Sequence, residues 1–373
     1  MLLFDLLHRA LGPNRNAAVG EEIAAMGHPD DAAWRQVAEL AERNEVSGLV
    51  YDAILTLPPQ QQPDKELLLR WAARVQSIER DNCLFRQRFG EALSEFEAHG
   101  LDPIVFKGLT LSDLYPNPLH RPVGDIDLFV PLDMQHRYLQ CLGQPETDHQ
   151  HDFDVKHLTL QHLGLNWELH FRSAYFYSQI TDRRYHLLER EETVPDCLFH
   201  FDIDNHRVQV FPPRLHMVYL TAHFQHHLLV ERVSLRQVVD WMLALHHDRT
   251  ALAISEVLFV RTLQRMSLYR LYRALGYIAT HYMGFNASGY AGLTNLTSAD
   301  AQRGELLLRV LLDGHVPGCE PYRALQPSDG FWTRTRHFFQ LCRRCYVLFP
   351  LGRREAFATP FGYLRFAMKR RMK

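Results

Sequence analysis

The chain has 373 residues, 46% of them hydrophobic, and a net charge of −2. That length supports a sizeable core in two or three compact units, and the near-neutral balance excludes a global nucleic-acid footprint. No run reaches the ~18 apolar residues of a membrane-spanning helix, so no integral membrane segment is expected.

Residues 1–12 read as an amphipathic helix, since Asp5 interrupts the apolar run and no small-residue cleavage site follows. Apolar residues then recur at helix spacing, as Trp34, Val37, Leu40 and Ala41, and again as Leu67, Leu68, Trp71, Val75 and Ile78. Asp64, after the loop at 58–63, is suited to cap a long helix ending near Gly100. Residues 1–100 are expected to be an N-terminal helical subdomain. Short β-rich runs appear over 101–211. The run 103–106 ends in Lys107-Gly108, and helix spacing resumes over 109–115. Residues 125–130 are a strand candidate and 134–142 a helix, while 155–161 and 165–171 form a hairpin around His162-Leu163-Gly164. After Pro212-Pro213 the chain is largely helical, most strongly over 215–227, 235–246 and 254–282, with a loop over 284–300. The expected class is α+β: a mixed-sheet core at 101–211 flanked by N-terminal and C-terminal helical regions, the latter 212–373.

The chemistry centres on Asp125-Ile126-Asp127. Alternation along a strand puts both aspartates on one face. Like charges so close ask for a cation or a proton, and hard oxygen ligands suit Mg²⁺ or Mn²⁺. In 165–171, Asn166, Glu168 and His170 share a face opposite Leu165, Trp167, Leu169 and Phe171. A neighbouring placement of these strands makes Glu168 a third carboxylate, enough for two ions about 3.5 to 4 Å apart. His170 would sit nearby, touching substrate or the ligand carboxylates. Lys107 and Gly108 stand at a strand-to-helix turn where backbone N–H groups could seat a triphosphate, and Lys107 and Arg121 could add cationic contacts.

The segments Phe106-Lys107-Gly108, Leu114-Tyr115-Pro116, Arg121, Asp125-Ile126-Asp127-Leu128 and Trp167-Glu168-Leu169-His170 resemble the uncharacterised bacterial nucleotidyltransferase family, whose members are often associated with polysaccharide or modified-peptide biosynthesis. The resemblance extends over residues 34–245, with His223 and Asp240 in similar helical surroundings. It implies a polymerase-β-like nucleotidyltransferase core in which Asp125, Asp127 and Glu168 hold metal and catalyse. Lys107, Gly108, Arg121 and His170 would bind the nucleotide, an NTP such as ATP, and an NMP would pass to an unidentified acceptor: a sugar, small molecule or protein. In the wider superfamily the turn carries Gly-Ser or Gly-Gly, where this chain has Gly108-Leu109.

Each motif has a plainer reading. Arg121 could be a salt-bridge partner offsetting the acids, and Asp240 a packing contact. His223, His226 and His227 share a helix without an acidic partner inside it, which favours structural roles. Cys342 and Cys345 form a lone CxxC, weak as a zinc signal, and sparse cysteines suit a reducing cytoplasm. Residues 331–373 hold 11 Arg or Lys against the single acid Glu355, interleaved with aromatics. That tail could touch anionic lipid at the membrane periphery, nucleic acid or a polyanionic glycan intermediate, or dock on the protein's own acidic body. The competing function is a catalytically weak nucleotide-binding scaffold of a biosynthetic complex at the membrane surface.

Overall fold

A computed structural model describes residues 1–12, 29–143, 157–321, 323, 325–326 and 329–372. Helices α1 (Leu2–Leu11), α2 (Asp31–Arg43), α3 (Ser47–Leu55) and α4 (Lys65–Ala98) open the chain. In α1 the apolar stripe Leu3, Phe4, Leu6, Leu7 and Ala10 is buried, as its amphipathic pattern predicts. Asp64 caps α4 by accepting from the Leu67 amide at 2.9 Å, which satisfies one of the helix's free N–H groups.

Six strands follow, with short helices between them: β1 (Ile104–Val105), β2 (Ile126–Phe129), β3 (His157–His162), β4 (Leu165–His170), β5 (Phe199–Ile203) and β6 (His206–Val210). They form one mixed sheet in the order β3-β4-β2-β1-β6-β5. β2 runs parallel to β4 and β1 parallel to β6, while the other neighbours are antiparallel. The expected β3–β4 hairpin turns at Leu163 and Gly164, both at positive φ, the conformation a two-residue hairpin loop needs. Residues 155 and 156 of that expected strand lie outside the described residues. The β5–β6 hairpin had no clear sequence signal because β5 is an edge strand whose Phe199 is exposed, so its apolar residues do not mark an inward face. Helix α5 (Leu109–Ser112) is a single turn, shorter than the spacing over 109–115 suggests, and α6 (Gln135–Cys141) and α7 (Gln179–Glu192) complete the middle section.

The C-terminal helices are α8 (Pro213–Val230), α9 (Leu235–Ile254), α10 (Glu256–Arg265), α11 (Tyr269–Tyr282), α12 (Ser298–Asp313), α13 (Phe331–Leu348) and α14 (Arg353–Met372). The helix expected over 254–282 is two helices. Ser267 adopts φ +61, and a residue in the left-handed region cannot continue a right-handed helix. The helical regions on either side of the sheet also touch each other: Phe4 packs on Tyr282 at 5.2 Å, and Asn44 accepts from the Leu235 amide at 3.1 Å. Among the described residues no helix is long and apolar enough to cross a membrane.

Alternation along β2 decides what each sheet face meets. Ile126 and Leu128 enter a core with Trp167, Leu169 and the α4 residues Phe89 and Phe96. Asp127 and Phe129 turn the other way, Phe129 packing on Phe211 at 5.5 Å, in the core that also includes Tyr219 of α8. The acidic face of the sheet therefore looks towards the C-terminal helices.

Candidate active site

Parallel pairing sets Asp127 directly opposite Glu168. Asp125, two residues before Asp127, completes the group: one carboxylate oxygen each from Asp125, Asp127 and Glu168 lie within 4.8 Å of one another. The predicted convergence of two separate β-segments is present.

Other groups hold these acids in place. Lys107 Nζ is 2.7 Å from Asp127 Oδ1, and His170 Nε2 lies 2.8 Å from the same oxygen and 3.1 Å from Glu168 Oε2. Burial alone would raise the Asp127 pKa, but Lys107 and His170 hold its carboxyl well below the usual range. Asp125 shifts the other way, raised by burial and by the neighbouring Asp127 charge. In Glu168 the hydrogen bond from His170 dominates and lowers the pKa. Burial disfavours the Lys107 ammonium, yet the carboxylates outweigh it and raise its pKa. His170, expected to touch substrate or the ligand carboxylates, is 1% exposed and hydrogen-bonds the Asp127 and Glu168 carboxylates.

Asp127 Oδ2 is buried and has no hydrogen-bond partner. An orphaned carboxylate oxygen is costly unless something cationic completes it. Together with the hard-oxygen donors of Asp125 and Glu168, it makes a donor set that fits a divalent cation such as Mg²⁺ or Mn²⁺. Asp125 and Asp127 also line an open cleft with a cavity volume of about 170 Å³, whose opposite wall includes His223 of α8 and Arg236 and Asp240 of α9.

The phosphate side of the prediction is changed in detail. Gly108 does carry the strained turn, at φ +74, and lines the cleft. The helix after it has only four residues, too few for the dipole-backed anion seat the sequence suggested. Arg121 is 4% exposed and bound to Asp240 through both Nε (2.7 Å) and Nη2 (2.9 Å), so its charge offsets Asp240 rather than the metal-type acids. Burial would lower the Arg121 pKa, but Asp240 raises it, while Asp240 itself is held low by Arg121 against its own burial.

The loop bearing Arg121 is fixed from behind. Asn82 donates to the Leu119 and Arg121 carbonyls at 2.7 and 3.0 Å, and His120 sits between Asp52 and Glu79. Two cleft residues escaped the sequence reading. Arg236 bonds Glu45 Oε2 at 3.0 Å and approaches Asp240 Oδ2 at 3.4 Å. The one available signal was the i, i+4 spacing of Arg236 and Asp240 on a helix.

A family model described as "Uncharacterised nucleotidyltransferase" matches residues 30–284. The chain belongs to that family. Neither a curated protein nor a solved structure matches it. The nucleotidyltransferase match contains both walls of the cleft and extends past the predicted limit at residue 245 through α11, stopping before α13 and α14.

The other motifs have structural roles. His223 Nε2 lies 3.1 Å from His227 Nε2, and His227 Nδ1 pairs with Glu231, an acid one residue beyond the helix that the sequence reading did not use. These form a chain of pairs, and no such trio is among the metal-competent clusters of the described residues. Cys342 and Cys345 belong to no such cluster either, and burial pushes the Cys345 thiol up to about 12. A thiol that reluctant to ionise is a poor ligand or nucleophile.

Proposed function

We propose that this protein is a metal-dependent nucleotidyltransferase that moves an NMP from an NTP, with ATP the first candidate, to an acceptor hydroxyl. The reading is carried by one observation: Asp127, whose buried Oδ2 has no partner, is grouped with Asp125 and Glu168 beside an open cleft. In the reaction the acceptor hydroxyl gives up its proton to solvent, its oxygen bonds to the α-phosphorus and the bond to the leaving pyrophosphate breaks. Divalent cations bound by Asp125, Asp127 and Glu168 would neutralise phosphate charge as it develops. His170 keeps the Asp127 and Glu168 carboxylates oriented. Lys107 supplies a fixed positive charge beside them, and Gly108 lets backbone approach the phosphates closely. Arg236 and His223 also line the cleft, where their side chains are held by Glu45 and Asp240 and by His227.

Incubating the protein with each α-labelled NTP and Mg²⁺ or Mn²⁺, with cell extract as acceptor source, tests this. Label should move to an acceptor in wild type and not in Asp127→Asn. Undiminished labelling by that variant would overturn the reading. The scaffold alternative draws on the Lys107 contact with Asp127, because an ammonium that stays on the carboxylate takes the place of a cation. It predicts an NTP-induced rise in Tm that is indifferent to metal.

A further inference from the structure

The last two helices carry a surface that the nucleotide cleft does not use. Helix α13 turns Trp332, Arg336, Phe339, Arg343 and Tyr346 outward, at steps of four, three, four and three residues, which is one face of a helix. Trp332 is 80%, Phe339 66% and Tyr346 82% exposed. Helix α14 packs beside it and repeats the pattern with Arg353, Phe357, Phe361 and Leu364. Rings of this size left in water are uncommon unless something covers them.

Charge narrows what that is. Residues 331–373 hold 11 basic residues and one acid, Glu355. Glu355 is 4% exposed and points inward, accepting from the Tyr177 and Ser178 amides. The outward side of the pair over 331–365 is therefore aromatic and cationic with no carboxylate of its own; among the described residues Glu320 pairs with Arg336 and Asp329 lies near Arg334. A second copy meeting it face to face would present the same positive field and be repelled. A single-stranded nucleic acid asks for a groove that stacks bases, and these rings stand on the outer side of helices. An anionic bilayer satisfies both features. Its phosphates meet the arginines, and its headgroup boundary takes Trp, Tyr and Phe rings while the arginine stems lie along the apolar surface.

We propose that the outer face of α13 and α14 docks the protein on an anionic phospholipid bilayer, lying on the surface without crossing it. The test is co-sedimentation of the full chain with phosphatidylcholine vesicles, with and without about 30% phosphatidylserine, chosen to give a strong surface potential. Anionic vesicles should bind at least about tenfold more tightly than neutral ones. Replacing Trp332, Phe339 and Tyr346 by Ser should remove most of that binding. Arg343→Gln and Arg353→Gln should weaken it by about fivefold for each charge removed.

Fluorescence gives a second readout on the unaltered protein. Trp34, Trp71, Trp167 and Trp241 are all at most 5% exposed, so iodide quenching reports Trp332, and anionic vesicles should abolish it. Equal binding to neutral and anionic vesicles overturns the proposal, as does persistent quenching with the protein on the vesicles. So does self-association, or RNA binding without vesicle binding, that the Ser substitutions remove.

Discussion

Arg121 and Asp240 stand 119 positions apart in sequence and meet through two hydrogen bonds, of 2.7 and 2.9 Å, in the wall of the cleft. The pair ties the loop before β2 to α9, and hence the strand carrying the metal-type acids to the helix that faces them. Both side chains are almost wholly buried, so removing one strands the other's charge. Asp240→Leu should cost about 3–5 kcal/mol, whereas Arg121→Met combined with Asp240→Leu should cost clearly less than the sum of the two single changes. Urea unfolding of the four proteins measures this. Strictly additive losses would show that the pair does not bind loop to helix.

His170 is argued to act through the carboxylates it touches, without reaching the nucleotide. His170→Asn should therefore weaken Mn²⁺ binding and transfer together, by about 10- to 100-fold, and leave the KM for NTP at saturating metal nearly unchanged. Titration calorimetry with Mn²⁺ and steady-state kinetics separate the two. A rise in KM with metal affinity intact would put the imidazole on the substrate instead.

These two cases show what the sequence could convey. The acids were legible because strand alternation is local: Asp125 and Asp127 two apart, and Glu168 and His170 two apart, declare a face without any knowledge of the neighbours. Trp167 and Leu169 marked the opposite face in the same way, and both are fully buried. The Arg121 partner was not legible, since which carboxylate among 43 acidic residues it meets is decided by how α9 packs. The same holds for Glu45 and Arg236. The break at Ser267 also left no mark, because apolar spacing continues on both sides of it and one backbone dihedral interrupts the helix.

Gly48 offers a test of the loop's support from a position outside the cleft. It lies in α3, where Ala would ordinarily be favoured over Gly by about 1 kcal/mol. Here an added Cβ would lie 2.4 Å from the His120 carbonyl oxygen, backbone that cannot simply rotate away. The sign should invert: Gly48→Ala is expected to lower stability by about 1–3 kcal/mol by pushing α3 off the segment that leads into Arg121. Thermal unfolding gives the sign directly. A stabilised Gly48→Ala protein would mean that this contact relaxes freely and does not hold the loop.

Glu355 should make the seam between α14 and the segment before α7 sensitive to pH. Burial pushes its carboxyl up to about 7 despite the Tyr177 and Ser178 amides that favour the ionised form; Asp182 adds to the rise and Arg354 opposes it. The folded protein thus holds this proton more tightly than the unfolded chain, where the ordinary value is 4.5. The contribution to stability is fully present below about 4.5 and is lost as pH rises through about 7, amounting to roughly 3 kcal/mol. Glu355→Gln stays neutral at every pH but loses one acceptor for the two amides. It should therefore be less stable than wild type near pH 5 and gain on it steadily up to pH 8. Unfolding free energies of the two proteins across that window decide the matter, and a constant difference between them would show that Glu355 ionises as an ordinary surface acid does.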